Sequence, residues 1–538
     1  VQQIAAAAIR HTAACGGETP AKSMLDRMAK IGTCGKHASN AERDLHQILK
    51  NLQFKAPIEC VNVRFVTPST AEVKAVQFPC LFPDTFALEI WRMGEAYFRY
   101  FFLGNQDSSR LWQHVEQTAW GSQMLANARG DRSKLIPVTC YGDEIYTYKN
   151  SECGVVAVLA WSTDYLTAEH GPLERYFPIA TYAQYLECED TWADLSKEVA
   201  DRFRSLVAKT DWPWCDKGYQ FTFSSVTGDL KWVKEKFHLH DYNANQFCSY
   251  CNVVKRDPAG RIEHTISDFR PTAAHMQMRI THEDYIQSTA AEDRALDSTC
   301  FPRCSMLTYL CERGWFGELQ GPYEQPLSTA LNKAFKAFTT WNRQQTKPVN
   351  QPRFTPARIC RKGRTFFPSL SSKGAASKAL SYWLADVAKD FARLPHASSL
   401  DRECAKCMVT YAEMLRMIDV SPLLLDDATA GHIYQLGLVH LQTYSSLRHK
   451  SSRTLGAQSA NRNCWLLLPK HHHMLHMLTD TVLRDRLNPR YQTLFCAESF
   501  IGAIGRMAKS CHRASLPRRL LQRYKIRFGM MMRGLGPA

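Results

Sequence analysis

The sequence of 538 residues lacks several features that would assign it to a particular class. No apolar run reaches the ~18 residues that a transmembrane helix needs, and no internal repeat is visible. The N-terminus has an Ala-rich stretch but no basic region before it, so we expect no secretory signal. Its 19 cysteines are scattered, which favours free thiols in a reducing compartment over a disulfide framework. These absences predict an intracellular protein with no membrane anchor.

Acidic residues are absent from two long stretches, although the whole chain holds 51 Asp and Glu against 67 Lys and Arg. Residues 341–368 carry seven Lys or Arg and residues 499–538 carry nine, with no acid in either. A net charge of +16 concentrated in this way favours a polyanionic partner, above all nucleic acid, although a solvated basic surface is the alternative. The candidate nucleic-acid contacts are Arg361, Lys362, Arg364, Arg506, Lys509, Arg518, Arg519 and Arg523.

The order of strand and helix patterns indicates the fold class. Apolar, β-prone segments at 135–141, 154–161 and 175–186 precede an amphipathic helix at 190–210 and an alternating strand at 219–226. Three antiparallel strands, a helix and a parallel fourth strand form the opening topology of an RNase H-like domain. We therefore predict an α/β fold with an RNase H-like mixed sheet, a large all-helical insertion and a mostly helical N-terminal region.

The same patterns divide the chain into four regions. Residues 1–130 are predicted to be mixed and mostly helical, and residues 131–260 to form the first part of the RNase H-like core. Residues 261–480 are predicted to be the mainly helical insertion, in which the prolines of 341–368 indicate a basic linker. Residues 481–538 combine a helix that bears an acid with a basic C-terminal segment.

Three carboxylates lie where phosphodiester chemistry in such a fold requires them. That chemistry uses two divalent ions ~4 Å apart, held by Asp and Glu side chains. Asp143 ends the first strand, Asp229 ends the fourth, and each follows a glycine that permits close approach of backbone or substrate. Glu498, in the first turn of a later helix, is the third candidate. The alternatives are ordinary turn chemistry for the two Gly-Asp pairs and a favourable helix N-terminal charge for Glu498.

Three segments carry a resemblance to a known family. VTGDLKWVKEKFHLHDYNANQFCSYCNV (226–253) resembles the second-acid region of eukaryotic DDE transposases of the hAT and Plavaka types. IPVTCYGDE (136–144) resembles their first-acid strand, and residues 465–509 resemble their terminal segment with Pro-Lys-x-His, a His-rich helix and a Glu-bearing helix. The resemblance implies metal-dependent cleavage and strand transfer on DNA in the nucleus. It further implies that Asp143, Asp229 and Glu498 hold two Mg²⁺ or Mn²⁺ ions, and it allows a homo-oligomer.

One segment departs from that family. Residues 304–321 contain no His and no Asp, whereas the family leads us to expect a His-bearing motif soon after the Cys pair. This departure suggests a domesticated or decayed copy that binds DNA without cleaving it. A zinc-stabilised interaction protein, unrelated to transposition, is a second alternative to an active transposase.

Cys248 and Cys251 form a Cys-x-x-Cys pair with the spacing of zinc ligands. Cys300, Cys304 or His264 is the predicted completion of that site, and inert thiols are the alternative. The run His471 to His473 with His476 places His472 and His476 on one helical face. No Glu separates those two histidines, so we expect a DNA-facing or packed helix there and not a metal site.

Overall fold

The computed structural model describes most of the chain, and every structural statement below concerns the described residues. These are 2–18, 23–31, 48–49, 53–104, 108–126, 128, 131–147, 154–163, 165, 170–228, 230–238, 248, 251, 301–320, 322–363, 366–370, 372, 374–453, 464–465, 468–492, 495–509, 511–512 and 515–533.

An antiparallel hairpin lies in the N-terminal region, formed by β1 (Glu59–Val66) and β2 (Val73–Cys80). Val63 and Phe65 of β1 are buried while Arg64 between them is half-exposed, which is the alternation of a strand with one face on a core. The other elements described before β3 are helices, and no strand is predicted for this hairpin from the sequence.

A four-stranded mixed sheet follows, with β3 (Leu135–Tyr146), β4 (Val155–Thr163), β5 (Phe177–Ala183) and β6 (Gln220–Gly228) in the order β5-β4-β3-β6. β3 pairs antiparallel with β4, β4 pairs antiparallel with β5, and β6 pairs parallel with β3. A parallel pair needs a crossover connection, and the long helix between β5 and β6 supplies it. The predicted strand and helix order is therefore confirmed, with a mixed α/β sheet as the fold class.

The described part of the chain contains seventeen α-helices in addition to these strands. They are α1 Gln2–Ala14, α2 Met24–Ala29, α3 Pro83–Met93, α4 Glu95–Leu103, α5 Ser109–Val115, α6 Ala119–Ala126, α7 Pro172–Arg175, α8 Glu189–Ala208, α9 Leu230–Lys236, α10 Phe301–Glu312, α11 Glu324–Arg343, α12 Gly374–Ala392, α13 Ser399–Val420, α14 Asp427–Arg453, α15 Pro469–His476, α16 Phe495–Ala508 and α17 Leu516–Met532.

Two hydrophobic cores organise these elements. The first, which we call the sheet core, joins the hairpin and the mixed sheet to helices of both chain ends, including α16 and α17. The second, the helical body, is built from α10 to α15 and the segments between them. The helices predicted at 373–394, 403–418 and 432–447 are confirmed as α12, α13 and α14. Within the described residues, no helix has the length and apolarity to cross a membrane.

Candidate metal centre and carboxylate edge

Four buried side chains converge on one point, namely those of Cys248, Cys251, His472 and His476. Their ligand atoms all lie within 4.8 Å of one another. Cys248 Sγ is 3.5 Å from His476 Nε2, and Cys251 Sγ is 3.3 Å from His472 Nε2. Sulfur and nitrogen ligands of one tetrahedral zinc are about 3.5 Å apart, given Zn–S and Zn–N bonds of ~2.3 and ~2.0 Å. The donor set and its spacing therefore fit a closed, four-ligand zinc site.

The orientation of His476 is fixed from outside the cluster. His476 and Asp480 pair through Nδ1 and Oδ2 at 2.9 Å, so a neutral ring donates its Nδ1 proton there. With a metal bound in place of the Nε2 proton, that hydrogen bond would keep the proton on Nδ1 and the Nε2 lone pair directed at the cluster, which is the tautomer that a metal ligand needs. Asp480 lies in a π-helical turn, Met477–Arg484, that continues α15. A carboxylate behind a ligating imidazole is a common feature of zinc sites.

Electrostatics favour the metal-binding form of the cysteine. Burial raises the pKa of the Cys248 thiol, but hydrogen bonds with Cys251, His472 and His476 outweigh it and hold that pKa well below its ordinary value. Burial likewise lowers the pKa of His476, but its bonds to Asp480 and Cys248 raise it to about 9. The thiolate is the form of cysteine that binds metals. The pocket therefore stabilises negative charge on sulfur before any ion binds.

The Cys304 ligand and the DNA-facing alternative for the His helix are wrong, whereas the packed alternative for that helix is confirmed. Cys304 is buried in the helical body and is not part of the cluster, while Cys300 and His264 lie outside the described residues. His472 and His476 are buried as two of the four candidate ligands, so they do not form a DNA-facing surface. The missing signal is tertiary, because 221 residues separate Cys251 from His472 and no local pattern pairs them.

Asp143 lies on β3 one residue beyond Gly142, which is paired with Gly228 of β6. Its carboxylate is half-buried, accepting a hydrogen bond from the Tyr141 hydroxyl at 2.5 Å and one from the Glu144 N–H at 2.7 Å. Asp229 follows Gly228 in the chain but lies outside the described residues. The parallel register thus brings the two glycines that precede the predicted acids to the same level of the sheet.

The two glycines have a packing role that differs from the predicted one. A Cβ at Gly142 would collide with the indole of Trp232 on α9. A Cβ at Gly228 would lie 2.6 Å from both the Gly142 carbonyl oxygen and the same indole. In this structure the close approach that the glycines permit is therefore that of Trp232, not of a substrate.

Glu498 is exposed in the first turn of α16, as predicted, and α16 packs on β3. A Cβ at Gly505 would collide with Ile145 of β3, so this glycine lets the helix approach the strand. The ring of Tyr176 lies 5.3 Å from Tyr141 and 5.5 Å from Phe500, centroid to centroid. These contacts fix the helix of Glu498 on the strand of Asp143.

The candidate nucleic-acid residues differ in exposure. Lys362, Arg506, Lys509, Arg518 and Arg519 are exposed, and Arg523 is half-buried with a bond to the Met507 carbonyl. Arg364 lies outside the described residues.

Arg361 is buried and donates to Glu312 at 3.0 Å. It is therefore a buried ion pair of the helical body and does not contribute to an exposed phosphate-binding surface. The sequence has no local indication of this burial, because Glu312 lies 49 residues earlier in the chain.

Comparison with known proteins adds no further identification. No protein-family model matches the sequence, and no curated protein matches it.

Proposed function

We propose that the chain is a DNA transposase-like protein whose RNase H-like sheet core carries out metal-dependent phosphodiester cleavage and strand transfer. The observation that carries the proposal is the pairing of Gly142 with Gly228 between parallel strands, each followed in the chain by an aspartate. The register sets Gly142 and Gly228 at one level, where β6 ends and β3 continues to Tyr146, so the aspartates that follow these glycines in the chain are suited to share metal ions.

A second line of support comes from α16. Glu498 and Arg506 are exposed on α16, and Gly502 between them is half-exposed. The exposed Lys509 directly follows the helix, whose opposite face is buried on the sheet core. From Glu498 to Arg506 the helix rises about 12 Å, at ~1.5 Å per residue. A stripe that begins with an acid and continues through a small residue to two cations suits a metal ligand beside a nucleic-acid backbone.

In this proposal Asp143, Asp229 and Glu498 would hold two Mg²⁺ or Mn²⁺ ions. Such ions supply charge stabilisation to the phosphodiester and lower the pKa of a bound hydroxyl. Within the chain, the Tyr141 hydroxyl orients the Asp143 carboxylate by the hydrogen bond described above. α16, which bears Glu498, packs on β3, which bears Asp143.

The cleavage test uses supercoiled and linear DNA with Mg²⁺ or Mn²⁺. Asp143→Asn should abolish cleavage, because an amide cannot replace a carboxylate as a ligand of a hard cation. Glu144→Gln is the matched control, since Glu144 is the adjacent acid on β3 and is engaged by Gln184 at 2.5 Å. Equal activity of Asp143→Asn and wild type would refute the proposal. DNA binding without any cleavage would instead identify the non-catalytic alternative, and neither activity would leave the zinc-stabilised interaction protein.

We further propose that the Cys248, Cys251, His472 and His476 cluster binds a structural zinc ion. It would tie the chain after α9 to α15 at the end of the helical body. Purified protein should contain about one equivalent of zinc, and Cys248→Ser should lose it. Cys304→Ser, which changes a buried thiol outside the cluster, should retain the metal. Zinc content that is zero in the wild type, or unchanged in Cys248→Ser, would remove the site.

A further inference from the structure

The loop between α11 and α12 displays cations on a rigid support. Several of its side chains are buried and anchor it in the helical body, among them Phe354, Ile359, Arg361 and Leu370. Arg353, Arg358 and Lys362 are exposed and form no ion pair with any described residue. No acid occurs between residues 344 and 373 that could neutralise them locally.

An aromatic side chain is exposed on the same loop. Phe366 is 57% exposed, a large fraction for a phenylalanine. Its N–H donates to the Gly363 carbonyl at 3.1 Å, and its own carbonyl accepts from the Arg361 guanidinium. The backbone that carries the exposed ring is therefore tied to a buried ion pair.

The support beneath Phe366 is extensive. Arg361 also donates through Nε to the Tyr323 hydroxyl at 3.2 Å, and Tyr323 in turn donates to Glu312. Cys360 adopts a positive φ of 51°, a conformation that a residue other than glycine keeps only when its surroundings impose it. Ordering costs on ligand binding are small for a loop held in this way.

Exposed cations and an exposed aromatic ring on one anchored loop are the elements of a single-strand binding platform. Every base offers a π-face to such a ring, while the cations contact the phosphates on either side. A duplex offers its bases much less, because they are already stacked on one another. The combination therefore favours an unpaired strand.

We infer that this loop is a single-stranded DNA subsite in which Phe366 stacks on an unpaired base and Arg353, Arg358 and Lys362 contact the phosphates. The inference rests on the proposed function in that both require DNA as the ligand. It differs in that it concerns the helical body and needs no divalent metal.

The test measures fluorescence anisotropy of labelled oligothymidylate of about 15 nucleotides, a length in the range of single-strand sites, in buffer without Mg²⁺. Phe366→Ala should weaken binding about 5- to 150-fold, which corresponds to the stacking of one base. Phe366→Trp should restore affinity. Tyr97→Ala is the matched control, because it removes an exposed aromatic side chain from α4, a helix outside the helical body. This variant should bind like wild type.

Two further arms separate stacking from charge. An oligonucleotide of abasic sites should bind the wild type as weakly as Phe366→Ala binds oligothymidylate, and Phe366→Ala should then cause little further loss. Arg358→Ala with Lys362→Ala should lower the salt dependence by about 0.7 per lost contact, whereas Phe366→Ala should leave it unchanged.

Equal affinity of wild type and Phe366→Ala for oligothymidylate would overturn the inference. So would an equal loss of affinity for duplex DNA, since that would assign the effect to general binding. Failure of Mg²⁺-dependent cleavage leaves these binding outcomes untouched, so the two proposals fail separately.

Discussion

The two basic segments without acids look alike in sequence but differ in structure. Residues 341–368 form mostly a loop on the helical body, whereas residues 499–538 supply most of α16 and all of α17 on the sheet core. Among the described residues, each segment buries one cation. In the first, Arg361 is paired with Glu312, which lies outside the segment. In the second, Lys525 is buried on α17 without an ion pair to any described residue.

The difference shows that an excess of cations in sequence does not measure the cations available to a polyanion. A buried cation either pairs with an acidic side chain of another element or remains unpaired at a desolvation cost. In both cases the cation cannot contact a phosphate. Among the cations, only the exposed ones should contribute to DNA affinity, while the two buried cations should affect stability with opposite signs.

The largest effect is expected at Arg361. Arg361→Ala leaves Glu312 buried without its partner and removes the support of the loop, so it should destabilise the fold by about 3–5 kcal/mol. Lys362→Ala, at the exposed neighbouring position, should change stability by less than about 0.5 kcal/mol. Urea unfolding followed by circular dichroism measures both. A small loss in Arg361→Ala would mean that the ion pair is not what holds the loop.

Lys525 should give a smaller effect of opposite sign. Burial lowers its pKa to about 8, with partial compensation from Glu89, against about 10.4 in an unfolded chain. Below pH 8 both states are protonated and the cost of burying the charge is fully present. Between pH 8 and about 10.4 the unfolded state binds more protons, so stability should rise with pH.

Lys525→Met should therefore stabilise the protein at pH 7 by about 2 kcal/mol. The rise in the free energy of unfolding between pH 8 and about 10.4 should be absent from this variant. Urea unfolding at about pH 7 and pH 9 compares the variant with wild type. The same rise of stability with pH in both proteins would assign the titration to another group.

The exposed pair Arg518 and Arg519 should leave stability nearly unchanged. Replacing both with Ala should change the free energy of unfolding by less than about 0.5 kcal/mol. It should lower the slope of log K against log salt on duplex DNA by about 1.8, since each phosphate contact contributes ~0.9. Arg204→Ala, at an exposed arginine paired with Asp201, is the control and should leave the slope intact. An unchanged slope in the double variant would make this surface merely solvated.

The secondary structure of the sheet core could be predicted from sequence because its signals are local. The apolar runs from 135 to 186 and the alternation at 219–226 each correspond to a strand, and the amphipathic segment between them is α8. β1 and β2 are not predicted, because their short alternating patterns are surrounded by helical ones and the tip of β2 is exposed.

The candidate sites could be predicted only in part, because their residues come together through tertiary contacts between distant parts of the chain. The Cys-x-x-Cys pair is visible in the sequence, but its partners His472 and His476 are recognised only when α15 is seen beside it. The burial of Arg361 likewise depends on Glu312 and Tyr323, on two other elements. The two Gly-Asp pairs are visible in the sequence. The packing of Trp232 against both glycines, which explains why they are glycines, is not.

We propose that the sheet core holds catalytic metal ions at Asp143 and that the Cys and His cluster holds a separate zinc ion. Anomalous X-ray diffraction from crystals grown with Mn²⁺ tests it most directly, with data collected at the manganese and zinc edges. The account predicts a manganese peak about 2.1 Å from a carboxylate oxygen of Asp143 and a zinc peak among Cys248, Cys251, His472 and His476. A zinc peak at the cluster with no manganese at Asp143 would contradict the catalytic assignment and leave a zinc-stabilised scaffold.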